Sequence, residues 1–280
     1  MAAWGVFLSL SVLFGGTAAV MTVFIGPGAA GSGIAELMAY FNGVHIPQLI
    51  GVRTLITKIF GTGLGVAASL AIGKEGPLAH IGAIVGHMVL YMPFEFCEFY
   101  QNELCKREVA AAGAAAGVSA AFGSPIGGSL FAYEISRPST YWTFELTWKI
   151  FFCSSISTFI LNILMCLVRG NDLSITNAGL IKFGEYDETP YKIQDFPFFI
   201  ILGIFGGLLG SFFIYVNSEI NIIRKKKLTS KWLKIGETIL LTGLTATILF
   251  FTPTIQSKNC LSLDQSSDEA DPIRYLCKKG

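Results

Sequence analysis

Two short polar motifs interrupt an otherwise apolar sequence, and the first of them suits the binding of an anion. It reads GSGIAE at 31–36. Its glycines free the backbone to turn, and a helix with Ser32 as its N-cap would begin here. The start of a helix offers unpaired N–H groups and a partial positive charge, which attract anions, and the Ser32 hydroxyl adds a donor. Serine is a common N-cap, so this motif alone is more typical of plain helix capping.

The second motif, GKEGP at 73–77, follows an uncharged stretch. Pro77 suits the first turn of a new helix, because its missing N–H costs nothing there. Glu75 lies between two apolar segments, where an ionisable residue is costly unless it is paired or hydrated. A carboxylate at a helix N-terminus can occupy an anion position, or leave it when protonated, which makes Glu75 a candidate gate. The alternative is a structural acid at the membrane interface.

The elements that must position these motifs are membrane segments. Charged residues are 14% of the 280, against about 25% in soluble domains. Blocks without charge, most of them near the roughly 20 residues that span a bilayer, occupy 1–35, 59–73, 76–94, 109–133, 150–168, 196–218 and 238–257. This pattern predicts an all-α polytopic membrane protein whose first span runs from about Trp4 to Ile25. It excludes a soluble enzyme, a disordered tail and a disulfide miniprotein, and the net charge of +1 gives no attraction to nucleic acid.

A short basic loop predicts the orientation of the chain. Its charges are Arg224, Lys225, Lys226, Lys227, Lys231 and Lys234, and such loops stay cytoplasmic. The segments near 169–195 and 253–280 should then lie on the opposite side. Cys260 and Cys277 in that tail either form a disulfide in an oxidising compartment or remain free thiols.

Glycine-rich sequences predict breaks in several spans, at 31–33, 61–65, 73–76, 123–128 and 203–210. Glycine in membrane helices often serves close packing, and this interpretation suits 203–210 and the Ala/Gly run at 110–120. The breaks at 31–33 and 73–76 also carry Ser, Lys, Glu and Pro, which packing does not require. Broken helices of this kind hold ions in many transporters.

Taken together, the motifs resemble the CLC family of voltage-gated chloride channels and chloride/proton exchangers, closest to its lysosomal and vacuolar branch. The matching stretches are GSGIAELMAYFNG at 31–43, GKEGPLAHIGA at 73–83, AAAGAAAGVSAAFGSPIGGSLFAYE at 110–134 and LTWKIFFCSSISTFILN at 146–162. The resemblance implies broken, tilted helices of the CLC inverted-repeat fold, chloride transport, an endolysosomal or vacuolar membrane and no cofactor. It also implies a dimer, with itself or with a full-length family member, through 110–133 and 146–166.

The resemblance further assigns roles to individual residues. Ser32 would coordinate the central anion, and serine rather than proline there goes with chloride over nitrate in this family. Glu75 would be the gate. The anion-binding set implied is Ser32, Gly33, Ile34, Lys74 and Gly76. Ala35 replaces the proline usual in the first motif, which we expect to loosen that helix start.

A second departure concerns proton transport. Exchangers of the family usually carry two adjacent acids where this chain has Glu134 and Ile135. Isoleucine cannot bind a proton, so the sequence favours a channel over an exchanger, although Glu134 or Glu145 remain possible substitutes. His80, one turn after Pro77, is expected to be a packed neutral histidine rather than a proton carrier.

The resemblance covers the first half of a transport unit. We expect roughly the first repeat plus one or two spans of the second, with a partial transmembrane domain at 1–252, a non-cytoplasmic loop at 253–280 and no nucleotide-binding domain pair. A midplane site needs opposing helix ends to replace the water of the anion, so this chain alone is expected to conduct poorly.

Two alternatives stay open, a chloride/proton exchanger and a truncated, non-conducting subunit that modulates a full-length partner. An enzyme is not expected, since no nucleophile–base set, phosphate loop or metal-ligand spacing around His45, His80 and His87 is found.

Overall fold

The computed structural model describes residues 2–91, 102–136, 142–169 and 193–256, and within these ranges the regular structure is helical, with no strand. The helices in chain order are α1 (Ala2–Val20), α2 (Ile34–Phe41), α3 (Val52–Ala67), α4 (Glu75–Val89), α5 (Glu103–Phe122), α6 (Pro125–Ser136), α7 (Phe144–Arg169), α8 (Phe196–Lys227) and α9 (Lys231–Gln256). A π-helical turn at Met21–Ile25 extends α1, and single 3-10 turns lie at Pro27–Ala29 and Ile193–Asp195.

In the described part of the chain, four helical segments are long and apolar enough to cross a membrane. They are Ala3–Ile25, Phe144–Val168, Ile193–Lys227 and Lys231–Thr252, and the first confirms the span expected from Trp4 to Ile25. The helices between the first two are shorter, and α2 has only 8 residues. At about 1.5 Å per residue, α2 covers less than half of a hydrocarbon core about 30 Å thick. The all-α fold with broken helices, as predicted, is therefore present.

The predicted breaks at 31–33, 73–76 and 123–128 fall at helix boundaries. Those at 61–65 and 203–210 are wrong, because α3 and α8 run through them without interruption. Glycine alone costs a helix only about 1 kcal/mol relative to alanine, whereas a broken backbone in an apolar medium leaves polar groups unpaired. The breaks that do occur coincide with backbone conformations or residues that end or begin a helix. Gly33 and Gly123 have positive φ (86° and 68°), and Pro77 lies in the first turn of α4.

The apolar core forms around α5, whose alanines leave room for four other helices. Its buried members are Leu37, Phe41, Ala83, Ala110, Ala111, Ala114, Ala115, Ala132, Ile135, Leu146 and Ile150. Helices α4 and α5 are antiparallel and their backbones touch at glycines: a methyl group on Gly86 would lie 2.6 Å from the Val109 carbonyl oxygen and 3.2 Å from Gly113 Cα. The packing interpretation of the run at 110–120 is thus confirmed.

Side chains also join the first and last helices. The rings of Trp4 and Phe251 lie 6.3 Å apart, and those of Phe7 and Phe250 lie 6.0 Å apart. The chain divides into two units, one of which (Ile181–Lys234) carries α8. Within the described part of the chain, methyl groups on the four glycines of 203–210 would meet nothing within 4 Å, so their packing role stays a prediction. Cys260 and Cys277 lie outside the described residues.

Candidate anion site

The first motif forms a turn made by two glycines with Ser32 between them. Gly31 and Gly33 have φ of 72° and 86°, and α2 begins at Ile34 with Gly33 as its N-cap. The prediction that Ser32 is the N-cap is therefore wrong by one residue, because the left-handed turn at Gly33 delays the helix. The Ser32 hydroxyl still accepts a hydrogen bond from the Ile34 N–H, at 3.4 Å, and the residue is exposed.

The second motif begins a helix, as predicted. Helix α4 starts at Glu75, and its first hydrogen bond runs from the Leu78 N–H to the Lys74 carbonyl oxygen, at 3.0 Å. The amides of Glu75 and Gly76 precede that bond, and Pro77 has no N–H. The Glu75 carboxylate is half-buried and turns back toward Gly73, where its Oε2 lies 2.5 Å from the position of an added Cβ. The acid thus stays at the positive end of its own helix.

The two motifs meet at Gly76. A methyl group on Gly76 would lie 2.8 Å from Ser32 Cβ and 3.4 Å from Ile34 Cδ1, so only glycine fits there without displacing the serine. Ser32 therefore lies against the first turn of α4. The starts of α2 and α4, each with unpaired N–H groups and partial positive charge, converge beside one hydroxyl. This arrangement suits the coordination of a small anion.

A buried lysine donates hydrogen bonds to the backbone of the turn that carries Ser32. Lys58 on α3 is 2% exposed and its Nζ donates hydrogen bonds to the carbonyl oxygens of Ala29 (3.1 Å) and Gly31 (2.7 Å). Sequence reasoning missed this residue. The available signal was its place as the last charge before the uncharged block 59–73, where an ionisable residue needs partners.

His80 is completely buried on α4, which confirms that it is a packed histidine. Its Nε2 lies 3.1 Å from the carbonyl oxygen of Leu49, in the loop between α2 and α3. The opposite edge of the ring lies against Gly33. His80 thus contacts both the loop around Leu49 and the turn that carries Ser32.

The residues considered for proton transport lie elsewhere: Glu134 and Ile135 are on α6, and Glu145 is in the first turn of α7. Ile135 is 5% exposed and packs in the apolar cluster with Leu37 and Ile150, while Glu134 is exposed. Neither belongs to the contact between the two motifs, which joins Ser32 and Ile34 to Gly76. In the described part of the chain, no three His, Cys, Asp or Glu side chains are grouped closely enough to hold a metal ion.

Comparison with known proteins agrees with the resemblance. The family profile described as voltage gated chloride channel matches residues 14–270. The mouse protein named H(+)/Cl(-) exchange transporter 7 is 38% identical over 99% of this chain, and its human counterpart is 37% identical over the same share. Chloride channel protein A of Dictyostelium discoideum is 36% identical over 89% of the chain.

The chain spans only part of these relatives, 35% of the length of the mouse and human proteins and 30% of the Dictyostelium protein. The similarity nevertheless covers almost all of its own residues, including both motifs. The chain therefore belongs to the voltage-gated chloride channel family, CLC.

Proposed function

We propose that the protein moves chloride across a membrane through a site formed by Ser32 and the first turns of α2 and α4. The observation that carries this proposal is the contact between the two motifs, in which Gly76 lies against Ser32. A dehydrated anion needs donors in place of its water. The Ser32 hydroxyl and the amides at the two helix starts supply such donors. Each first turn contains one acid, Glu36 in α2 and Glu75 in α4.

Glu75 acts as the gate of this site. Its carboxylate carries the same charge as chloride and is held at the start of α4, where an anion is favoured. While it is ionised it competes with chloride for those donors. When it is protonated it loses that advantage and leaves the position to the anion. Flux through the site should therefore rise as the pH falls.

We propose that transport is channel-like, because Ile135 occupies the position of the usual proton acceptor. Its side chain has no group that binds a proton, and it is buried in the apolar cluster that also contains Leu37 and Ile150. Chloride/proton exchange is the second candidate function, and it is favoured by the name of the mouse and human relatives, H(+)/Cl(-) exchange transporter 7. In that case another group, such as Glu134, or water carries the proton.

The anion site is tested by the preference for chloride over nitrate. The full-length gene product that contains this chain is purified, placed in liposomes and compared with two variants. Ser32→Ala removes the donor, and Ser9→Ala is the control. Ser9 is a matched control because its exposed hydroxyl bonds within α1, to the Val6 carbonyl oxygen at 2.9 Å. The chloride-to-nitrate flux ratio should fall in the first variant and stay unchanged in the second. An unchanged ratio in Ser32→Ala rejects the site.

Proton coupling is tested in the same liposomes with a pH-sensitive dye inside. An outward chloride gradient at zero membrane potential drives protons inward in an exchanger, against their own gradient, and leaves the internal pH unchanged in a channel. Uphill proton movement would replace the channel-like proposal with exchange. It would leave the anion site intact.

Assembly and location complete the proposal. We expect a dimer through 110–133 and 146–166 in an endolysosomal or vacuolar membrane, as the resemblance implies. Several large apolar side chains of α7 are exposed in the single chain, among them Trp148 (60%) and Phe152 (67%), so this helix has surface for lipid or a second subunit. Cross-linking of the Phe152→Cys variant tests the dimer interface. Failure to cross-link in liposomes would reject this interface.

A further inference from the structure

The imidazole of His80 joins two loops that are far apart in the chain. It is fully buried, and its Nε2 lies 3.1 Å from the Leu49 carbonyl oxygen. A carbonyl oxygen only accepts, so Nε2 carries the proton and donates this bond. Nδ1 is also buried and has no hydrogen-bond partner among the described residues. That edge of the ring is held by packing alone.

The packing partner on that edge is Gly33. A Cβ on Gly33 would lie 2.7 Å from His80 Cγ and 3.0 Å from His80 Cβ, and nearest of all to Nδ1. The ring thus occupies the space that a side chain at position 33 would need. Gly33 also has φ of 86°, a conformation that other residues rarely adopt. The ring and the glycine together hold the turn in the one shape that directs Ser32 toward Gly76.

We propose that His80 is a positioning residue for anion selectivity: by bonding Leu49 and packing on Gly33, it holds Ser32 at the first turn of α4. This inference rests on the proposed function of Ser32 in the anion site. His80 itself contacts no anion. Its effect reaches the site through the backbone of Gly33, the residue next to Ser32.

Substitutions of His80 can separate the hydrogen bond made by Nε2 from the contacts on the Nδ1 side of the ring. The side-chain amide of glutamine can reach the position of Nε2 and keep the bond to Leu49. Asparagine reaches only the Nδ1 side, and alanine reaches neither. If the bond to Leu49 fixes the ring against Gly33, His80→Gln retains function and His80→Asn does not, although the two amides differ by one methylene group.

The experiment measures the chloride-to-nitrate flux ratio of the purified gene product in liposomes, for His80→Gln, His80→Asn and His80→Ala. His45→Gln is the control, because His45 lies exposed in the loop after α2. We expect the ratio to stay near the wild-type value in His80→Gln and in the control. In His80→Asn and His80→Ala it should fall about fivefold to tenfold, the effect of losing one buried hydrogen bond. A wild-type ratio in His80→Asn overturns the inference.

Gly33→Ala provides a second test if a His80 variant does not fold. Its methyl group meets the ring from the opposite side and should displace Ser32, giving the same fall in the flux ratio. A wild-type ratio in folded Gly33→Ala also overturns the inference. Ser32→Ala in the same assay separates the two levels. If it lowers the ratio while His80→Asn does not, only the positioning role fails, and if it has no effect, the anion site fails as well.

Discussion

At the residue scale, three glycines leave the space that the side chains around the proposed anion site occupy. The Glu75 carboxylate lies where a side chain on Gly73 would be, Ser32 lies beside Gly76, and the His80 ring lies beside Gly33. Each of these glycines is required by a close approach and not only by backbone freedom. The motifs alone single out Ser32 and Glu75 as candidates for the proposed site. The contacts that hold them could not be predicted. Leu49 lies in a segment without a recognisable pattern, and the place of Lys58 beside an uncharged block indicates that it needs partners but not which ones.

Gly73→Ala should displace the carboxylate of the proposed gate, Glu75. Its methyl group would lie 2.5 Å from Glu75 Oε2, so the carboxylate must leave its position beside the start of α4. We expect chloride flux at neutral pH to rise toward the value of Glu75→Ala. Gly63→Ala is the matched control, since a methyl group there meets nothing within 4 Å. Equal flux in Gly73→Ala and wild type would show that the carboxylate does not depend on this space.

Lys58→Met should destabilise the protein. It leaves the carbonyl oxygens of Ala29 and Gly31 without their buried donor, which costs about 1–3 kcal/mol for a buried polar group. Denaturation in mixed detergent micelles measures the free energy of unfolding. Lys149→Met is the control, because its ion pair with Glu145 is exposed on α7 and should contribute little. Equal stability of the two variants would contradict the bracing role of Lys58.

At the scale of elements, helix boundaries depend on more than glycine. The sequence predicts correctly that α2 and α4 start near the two motifs, because Gly-Ser-Gly and Gly-Pro combine turn geometry with capping. It fails at 61–65 and 203–210, where glycine occurs without proline or a polar cap and the helix continues. The position of Ser32 one residue before the N-cap is also not predictable, since it depends on the positive φ of Gly33.

Glycine has a different role where α4 packs on α5. Gly86→Ala should cost about 1–3 kcal/mol of stability through overpacking, because its methyl group would lie 2.6 Å from the Val109 carbonyl oxygen. Gly236→Ala on the exposed side of α9 should be neutral or stabilising by up to about 1 kcal/mol. Thermal unfolding of both variants tests the opposite signs. A stabilising effect of Gly86→Ala would contradict the close antiparallel packing.

At the scale of the whole molecule, hydropathy and charge predict the fold class well. Long apolar blocks and the lack of charge specify membrane helices, since lipid offers no other partner for the backbone. What these patterns cannot predict is the convergence of α2 and α4. It requires α3 and α4 to anchor the intervening loops through Lys58 and His80, and such long-range contacts leave no periodic trace. The core around α5 brings the same helices together on its apolar side.

The most direct test of the central claim is chloride efflux from liposomes that hold the gene product, compared with Glu75→Ala at several values of external pH. Glu108→Ala is the control, because Glu108 is far from Glu75. Its neighbour Val109 lies against Gly86, close to the opposite end of α4. We predict flux that rises as the pH falls in wild type and control, and faster flux independent of pH in Glu75→Ala. If Glu75→Ala matches wild type at every pH, the carboxylate at the start of α4 is not the gate.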